Sequence, residues 1–177
     1  ISSTAATSVD EDSLYSYTTT ATDVDGDVVS LACTTVPAWL TCTAGALSGT
    51  PDNDDVGSHS VVITASDGNS GSVTDSFSIA VVNTNDAPEI SSTAILTVDE
   101  DSLYSYTTTA TDVDVGDTIT LTCTTVPAWL SCTAGALSGT PANADVGSHN
   151  VVITASDGNG GSVTDTFSIA VANTNDA

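Results

Sequence analysis

The chain contains itself twice. SVDEDSLYSYTTTATDVD at residues 8–25 returns as TVDEDSLYSYTTTATDVD at 97–114, and CTTVPAWL at 33–40 returns at 123–130. AGALSGTP at 44–51 recurs at 134–141, VVITASDGN at 61–69 at 151–159, and VNTNDA at 82–87 is echoed by ANTNDA at 172–177. The offset is 89 up to the pair Asp25/Asp114; an extra Val115 then makes it 90. Whatever one copy folds into, the other must fold into as well. Two domains are therefore expected, at 1–88 and 89–177. The sequence begins at Ile1 and ends at NTNDA, where the first copy runs on into Pro88-Glu89. The reading is of a mature or excised piece of a longer array.

Within a copy the periodicity is that of strands. Val61, Ile63 and Ala65 alternate with Ser60, Val62 and Thr64, and Phe77, Ile79 and Val81 alternate with Ser76, Ser78 and Ala80. Tyr15 and Tyr17 sit in a run rich in threonine, expected as one strand over 14–22. Gly, Asp and Asn mark turns at DGD, SGTP, DDVG and DGNSG. About seven short strands per copy, with no helical period, predict an all-β protein of two tandem Greek-key β-sandwich domains. Trp39 and Trp129 are expected in the two cores.

The charge balance narrows function. Lys+Arg is 0 against 23 Asp+Glu, a formal net charge of -23. With no cation to meet phosphates, nucleic acid and anionic membranes are poor partners, and neither nucleic acid binding nor membrane insertion is expected. Schiff-base lysines, arginine clamps and phosphate-loop lysines are excluded too. Lys–Asn isopeptide and Thr–Gln ester cross-links are impossible, because Lys and Gln are absent. Hydrophobic residues make up 40% of the chain and alternate, so this is not a disordered acidic tail. Carboxylates that repel one another must be offset by metal cations or ambient salt.

Each copy carries two cysteines nine residues apart, Cys33/Cys42 and Cys123/Cys132. No histidine lies near enough to make a zinc site, and no CxxC is present. One disulfide per domain is expected, which places the protein outside the cell.

The acids gather at strand ends. Counting crossings puts Asp23, Asp25 and Asp67 at one end of the first domain, with Glu11 and the segment Asn83–Asp86 at the other. In a tandem pair, Glu11, Asn83, Asn85 and Asp86 would then meet Asp112, Asp114 and Asp157. So many oxygens without a cation make the ligand set of a hard ion, and Ca²⁺ takes six to eight of them. Read otherwise, these are ordinary turn residues.

LYSYTTTATDVDGD, the PAWL…GALSGTP…DVGSH run and the ASDGN…NTNDAP ending resemble dystroglycan-type cadherin-like and Ig-like repeats of bacterial surface proteins, over nearly all of both copies. Cadherins similarly place a glutamate before the second strand, an Asp-x-Asp after it, an Ala-x-Asp-Gly turn and an Asn-Asp linker before Pro. The matching positions are Glu11/Glu100, Asp23 and Asp25/Asp112 and Asp114, Asp67/Asp157, and Asn83, Asn85 and Asp86/Asn173, Asn175 and Asp176. The resemblance implies calcium at the junctions, stiffening a rod of domains. The Asp-Arg-Glu motif of cadherins is missing, which implies fewer ions per junction. Val115 lengthens the second Asp-Val-Asp loop and changes how it closes on metal.

Catalysis has little support: His59 and His149 open strands, are expected at the surface, and have no nucleophile elbow beside them. Three non-catalytic roles remain open. The repeats extend a secreted adhesin, assemble laterally into a filament or sheath, or bind glycan. Aromatics are only 5% of residues, which disfavours a glycan platform. The expected partners are adjacent copies of the same repeat.

Overall fold

The computed structural model describes residues 1–175. The chain divides into two compact units, Ile1–Thr84 and Asn85–Ala177. Residues 85–88 thus go with the second domain.

The first domain has seven strands: β1 (Ser8–Asp10), β2 (Tyr15–Thr18), β3 (Ser30–Thr35), β4 (Thr41–Thr43), β5 (Ala46–Gly49), β6 (Gly57–Ser66) and β7 (Ser72–Val82). They form a four-stranded sheet in the order β1-β7-β6-β3 and a three-stranded sheet in the order β2-β5-β4. All pairings are antiparallel except β1 with β7, where Ser8 lies opposite Ala80. The expected sandwich is what forms.

The second domain repeats the plan with β9 (Thr97–Asp99), β10 (Tyr104–Thr107), β12 (Thr120–Thr125), β13 (Leu130–Thr133), β14 (Ala136–Gly139), β15 (Gly147–Ser156) and β16 (Ser162–Ala172). A short pair is added, β8 (Glu89–Ile90) against β11 (Ala110–Thr111).

The period-two pattern of β6 and β7 decides which side chains face the opposite sheet. Val61, Ile63 and Ile79 are fully buried, as are Val151, Ile153 and Ile169 in the second copy. Tyr15, Leu40 and Leu47 complete the first core from the other sheet. Trp39 packs at its margin, edge-on to Tyr15 at 6.1 Å and to His59 at 6.0 Å. Two sequence expectations change here. The strand expected over 14–22 stops at Thr18, because its partner β5 is only four residues long and begins at the Ala44-Gly45 turn. His59 is half-buried rather than at the surface, its Nε2 2.5 Å from the Asp55 carbonyl oxygen.

Cys33–Cys42 and Cys123–Cys132 are disulfide-bonded. Cys33 lies in β3 and Cys42 in β4, so the bond ties one sheet to the other across the core. Within the three-stranded sheet, Gly49 of β5 lies against the backbone that leads into β4: a Cβ there would fall 2.1 Å from the Trp39 carbonyl oxygen. Only glycine fits.

Candidate functional site

The Asp-Val-Asp loops follow the Tyr-rich strands, and the Ser-Asp-Gly turns join the two longest strands of each domain. Antiparallel pairing of β12 with β15, in register Thr120 opposite Ser156, brings the two segments to one end of the second domain. That end collects Asp112, Asp114, Asp117 and Asp157.

Carboxylate oxygens of Asp112, Asp117 and Asp157 all lie within 4.8 Å of one another. Asp157 is 2% exposed and Asp114 6%. Asp157 is held from all sides. Its Oδ1 accepts the backbone N–H groups of Asn159, Gly160 and Gly161, at 2.7, 3.0 and 3.0 Å. Its Oδ2 accepts the Asn85 side-chain amide at 2.8 Å. The Asn85 amide, followed by these backbone donors, holds the Asp157 carboxyl below the usual carboxylate range against the opposing effect of burial. Asp86 N–H donates to Asp114 Oδ2 at 2.7 Å. The segment that begins this domain is therefore moored to two of its acids.

Two oxygens have no such donor. Asp112 Oδ2 and Asp117 Oδ2 are buried without a hydrogen-bond partner among the described residues. Buried carboxylate oxygens normally find donors, and an ionised one left alone is costly. The chain has no lysine or arginine to supply the charge. A divalent cation fits these residues on both counts, hard oxygen donors and unmet negative charge.

Asp117 was not among the residues expected from the sequence. It looks like a turn residue after Gly116, but Asn159 Nδ2 donates to its Oδ1 at 2.8 Å, as Asn69 Nδ2 does to Asp27 Oδ2 in the first domain. The recurrence of both the Asp and the Asn in both copies was the available signal.

The first domain carries the same loop, closed differently. Asp23 Oδ1 accepts the N–H groups of Asp25 at 2.8 Å and Asp27 at 3.3 Å. In the second domain Asp112 Oδ1 accepts only from Asp114, at 2.9 Å, and Asp117 N–H turns to the Asp114 carbonyl oxygen. The inserted Val115 is the cause, since it adds one residue between the two acids. Asp67 Oδ1 accepts from Asn69 and Gly71 at 2.7 and 2.9 Å, and Asp25 is exposed.

The opposite end of each domain has its own buried acid. Glu11 is 1% exposed; its Oε1 accepts the Thr84 N–H at 2.5 Å, and its Oε2 is buried without a hydrogen-bond partner among the described residues. Glu100 does the same with Thr174 at 2.6 Å, and its Oε2 is likewise unpartnered among the described residues. Each glutamate is thus bonded to the threonine that follows the last strand of its own domain, Glu11 to Thr84 and Glu100 to Thr174. Asn173 donates its side-chain amide to the Thr174 carbonyl oxygen. Asp176 lies outside the described residues.

A two-sheet sandwich whose first strand runs parallel to its last, with buried acids at both ends, defines the class: a cadherin-like or Ig-like repeat domain. More narrowly, the chain belongs to the family described as "Putative Ig domain", whose model matches residues 1–82 and again 87–172. No curated protein matches it. Among solved structures, mouse cadherin-23 EC22-24 is similar with a TM-score of 0.59 and 15% identity, over 95% of this chain and 62% of that one. Human mucin-like protocadherin EC1-2 has a TM-score of 0.52 and 19% identity, over 94% and 95% of the respective chains. These likenesses are of fold. An endo-fucoidan hydrolase of glycoside hydrolase family 107 is 29% identical with a TM-score of 0.41, and this chain spans only 28% of its length.

Proposed function

We propose that the protein is a non-catalytic extender segment of a secreted or cell-surface bacterial adhesin, stiffened by Ca²⁺ where one repeat meets the next. The observation that carries this reading is the group of buried, unpartnered carboxylate oxygens at domain ends: Glu11 Oε2, Asp112 Oδ2 and Asp117 Oδ2. Glu11, Asn83, Asn85, Asp86, Asp112, Asp114, Asp117 and Asp157 are the residues proposed to hold the ion. Calcium would supply the positive charge that the sequence lacks. It would act as a strut, because ligands drawn from two domains resist bending once bound. The disulfides support an extracellular setting.

The direct test is calorimetric titration of the intact chain with Ca²⁺. Affinity on the order of 10⁻⁴–10⁻³ M is expected, as for extracellular modules. An Asp112→Asn, Asp117→Asn chain should lose most of the heat. A flat titration of the unaltered chain at millimolar calcium would refute the reading. Lateral assembly into a filament and glycan binding are the alternatives. Monomeric behaviour in calcium counts against the first, and failure to bind glycan arrays against the second.

A further inference from the structure

The acids are not spread evenly round each sandwich. Residues 28–51 and 118–141 contain no Asp or Glu, although the chain holds 23 of them. In the first domain that run builds β3, β4 and β5, and in the second β12, β13 and β14. β3 and β4 end their respective sheets on one side of the sandwich, where Cys33–Cys42 joins them. Each domain thus has one uncharged flank, in a chain whose formal net charge is -23.

Along that flank, β3 pairs among the described residues only with β6, and β12 only with β15. An edge of this kind presents backbone N–H and C=O groups to any strand that arrives, and proteins normally blunt it with charge, proline or an inward-pointing acid. The far edge of the same sheet has such protection. Asp10 ends β1, and Asp75 of β7 lies opposite the fully buried Ile63 and so faces inward. Asp165 repeats this opposite Ile153. The segment around β3 has none of it: VVSLACTTV at 28–36 lacks charge, glycine and proline, and so does TITLTCTTV at 118–126. Where the two segments differ, one small or β-branched uncharged residue stands for another. A bulge between Cys33 and Thr35 leaves Ser30–Cys33 in regular register, and the disulfide pins that stretch to β4.

We infer that β3 and β12 are docking edges for a second copy of this chain, which adds its own β3 or β12 antiparallel and continues the four-stranded sheet across the contact. The occupant is a copy because every chain carries the fitting strand twice, and a strand paired antiparallel with itself is self-complementary about a two-fold axis. Charge points the same way. Copies that meet through their acid-bearing ends repel, whereas along this flank they approach with no opposed carboxylates. The exposed side chains at Ser30, Ala32, Thr120 and Thr122 are small, so they leave room for a neighbouring strand at about 4.7–4.9 Å. One such contact is short and weak, and two per chain reinforce each other. The contact gives side-by-side association a named surface; it is compatible with the extender reading and does not need calcium at the joint.

Sedimentation velocity of the intact chain reads the contact at physiological ionic strength, where charges are screened beyond about 8 Å. The unaltered chain should pass reversibly from monomer to dimer and larger species as its concentration rises into the millimolar range. Ala32→Asp with Thr122→Asp sets like charges against each other across the pairing, and association should weaken roughly ten-fold or more. Ser76→Asp with Thr166→Asp adds the same charge at exposed positions of β7 and β16, towards the other edge, and should leave association unchanged. Hydrogen exchange of the unaltered chain should slow at the outward amides of residues 30–33 and 120–123 as concentration rises, a readout that needs no variant. A chain that stays monomeric, associates without that protection, or responds equally to both pairs of substitutions overturns the inference. Calcium titration of the same sample reads the extender proposal separately: a chain that takes up calcium but stays monomeric sinks the edge contact alone.

Discussion

Asn85 donates its side-chain amide to Asp157 Oδ2 at 2.8 Å, and that bond joins the first residue of the second domain to the turn between its longest strands. The pair are 72 residues apart. The bond explains why Asn85–Pro88 belong with the domain they precede. It also places Asp157, whose carboxyl is held below the usual carboxylate range, beside the buried oxygens of Asp112 and Asp117.

Replacing Asp157 should damage metal binding more than stability elsewhere. Asp157→Asn keeps an acceptor for the backbone donors but removes the charge. Calcium affinity should fall by about ten-fold or more, since ligand charge sets affinity in such sites. Titration calorimetry would measure it, with the first domain's melting unchanged in the same sample.

The disulfides should matter to each domain separately. Cys33→Ala with Cys42→Ala opens a short loop and should cost the first domain roughly 2–3 kcal/mol. Differential scanning calorimetry should then resolve two transitions, the lower from the altered domain. The sheet pairing and the fully buried Val61, Ile63 and Ile79 remain, so the domain should still fold.

Truncating the second core should be worse. Ile153 is fully buried, and Ile153→Ala should cost about 2–5 kcal/mol from lost burial and the cavity left behind. Denaturant unfolding followed by near-ultraviolet circular dichroism would report the loss.

Stability should fall at both extremes of pH, for different groups. Burial pushes the Tyr104 hydroxyl up to about 12, and its O–H donates to the Ile95 carbonyl oxygen at 2.8 Å. A raised phenol gives stability that is full below its ordinary value of 10.0 and lost as pH climbs from there to about 12. Asp157 is lowered instead, so its contribution is present at neutral pH and disappears as pH falls below the ordinary 3.8. Unfolding midpoints across pH, with phenolate absorbance on the alkaline side, would test both signs.

The fold was legible because period-two alternation and the repeat both survive in the plain sequence. Val61, Ile63 and Ile79 could be placed in the core from spacing alone. The break after Thr18 could not, because it depends on the length of β5, a partner nearly thirty residues away. At the site, Glu11, Asp112 and Asp157 were readable from their positions at strand ends. Asp117 was not, since its role comes from a loop conformation reset by Val115 and from the distant Asn159. The same insertion separates the two copies chemically. Asp112 Oδ1 accepts one backbone N–H, from Asp114, whereas Asp23 Oδ1 gathers two, from Asp25 and Asp27.

Removing calcium should loosen the connection and leave the domains intact. Chelation should increase protease cleavage within 83–89, with far-ultraviolet circular dichroism unchanged. Chymotrypsin-like and trypsin-like enzymes are poor probes there, because the segment has no aromatic and no basic residue; an enzyme of broad specificity is needed.

Whether calcium stiffens the joint between repeats, as proposed, is read by small-angle X-ray scattering of the intact chain with calcium and with chelator. A calcium-stiffened joint should give a larger, more sharply defined maximum dimension in calcium and a broadened distance distribution once the ion is withdrawn. Curves that superimpose in the two conditions would contradict it.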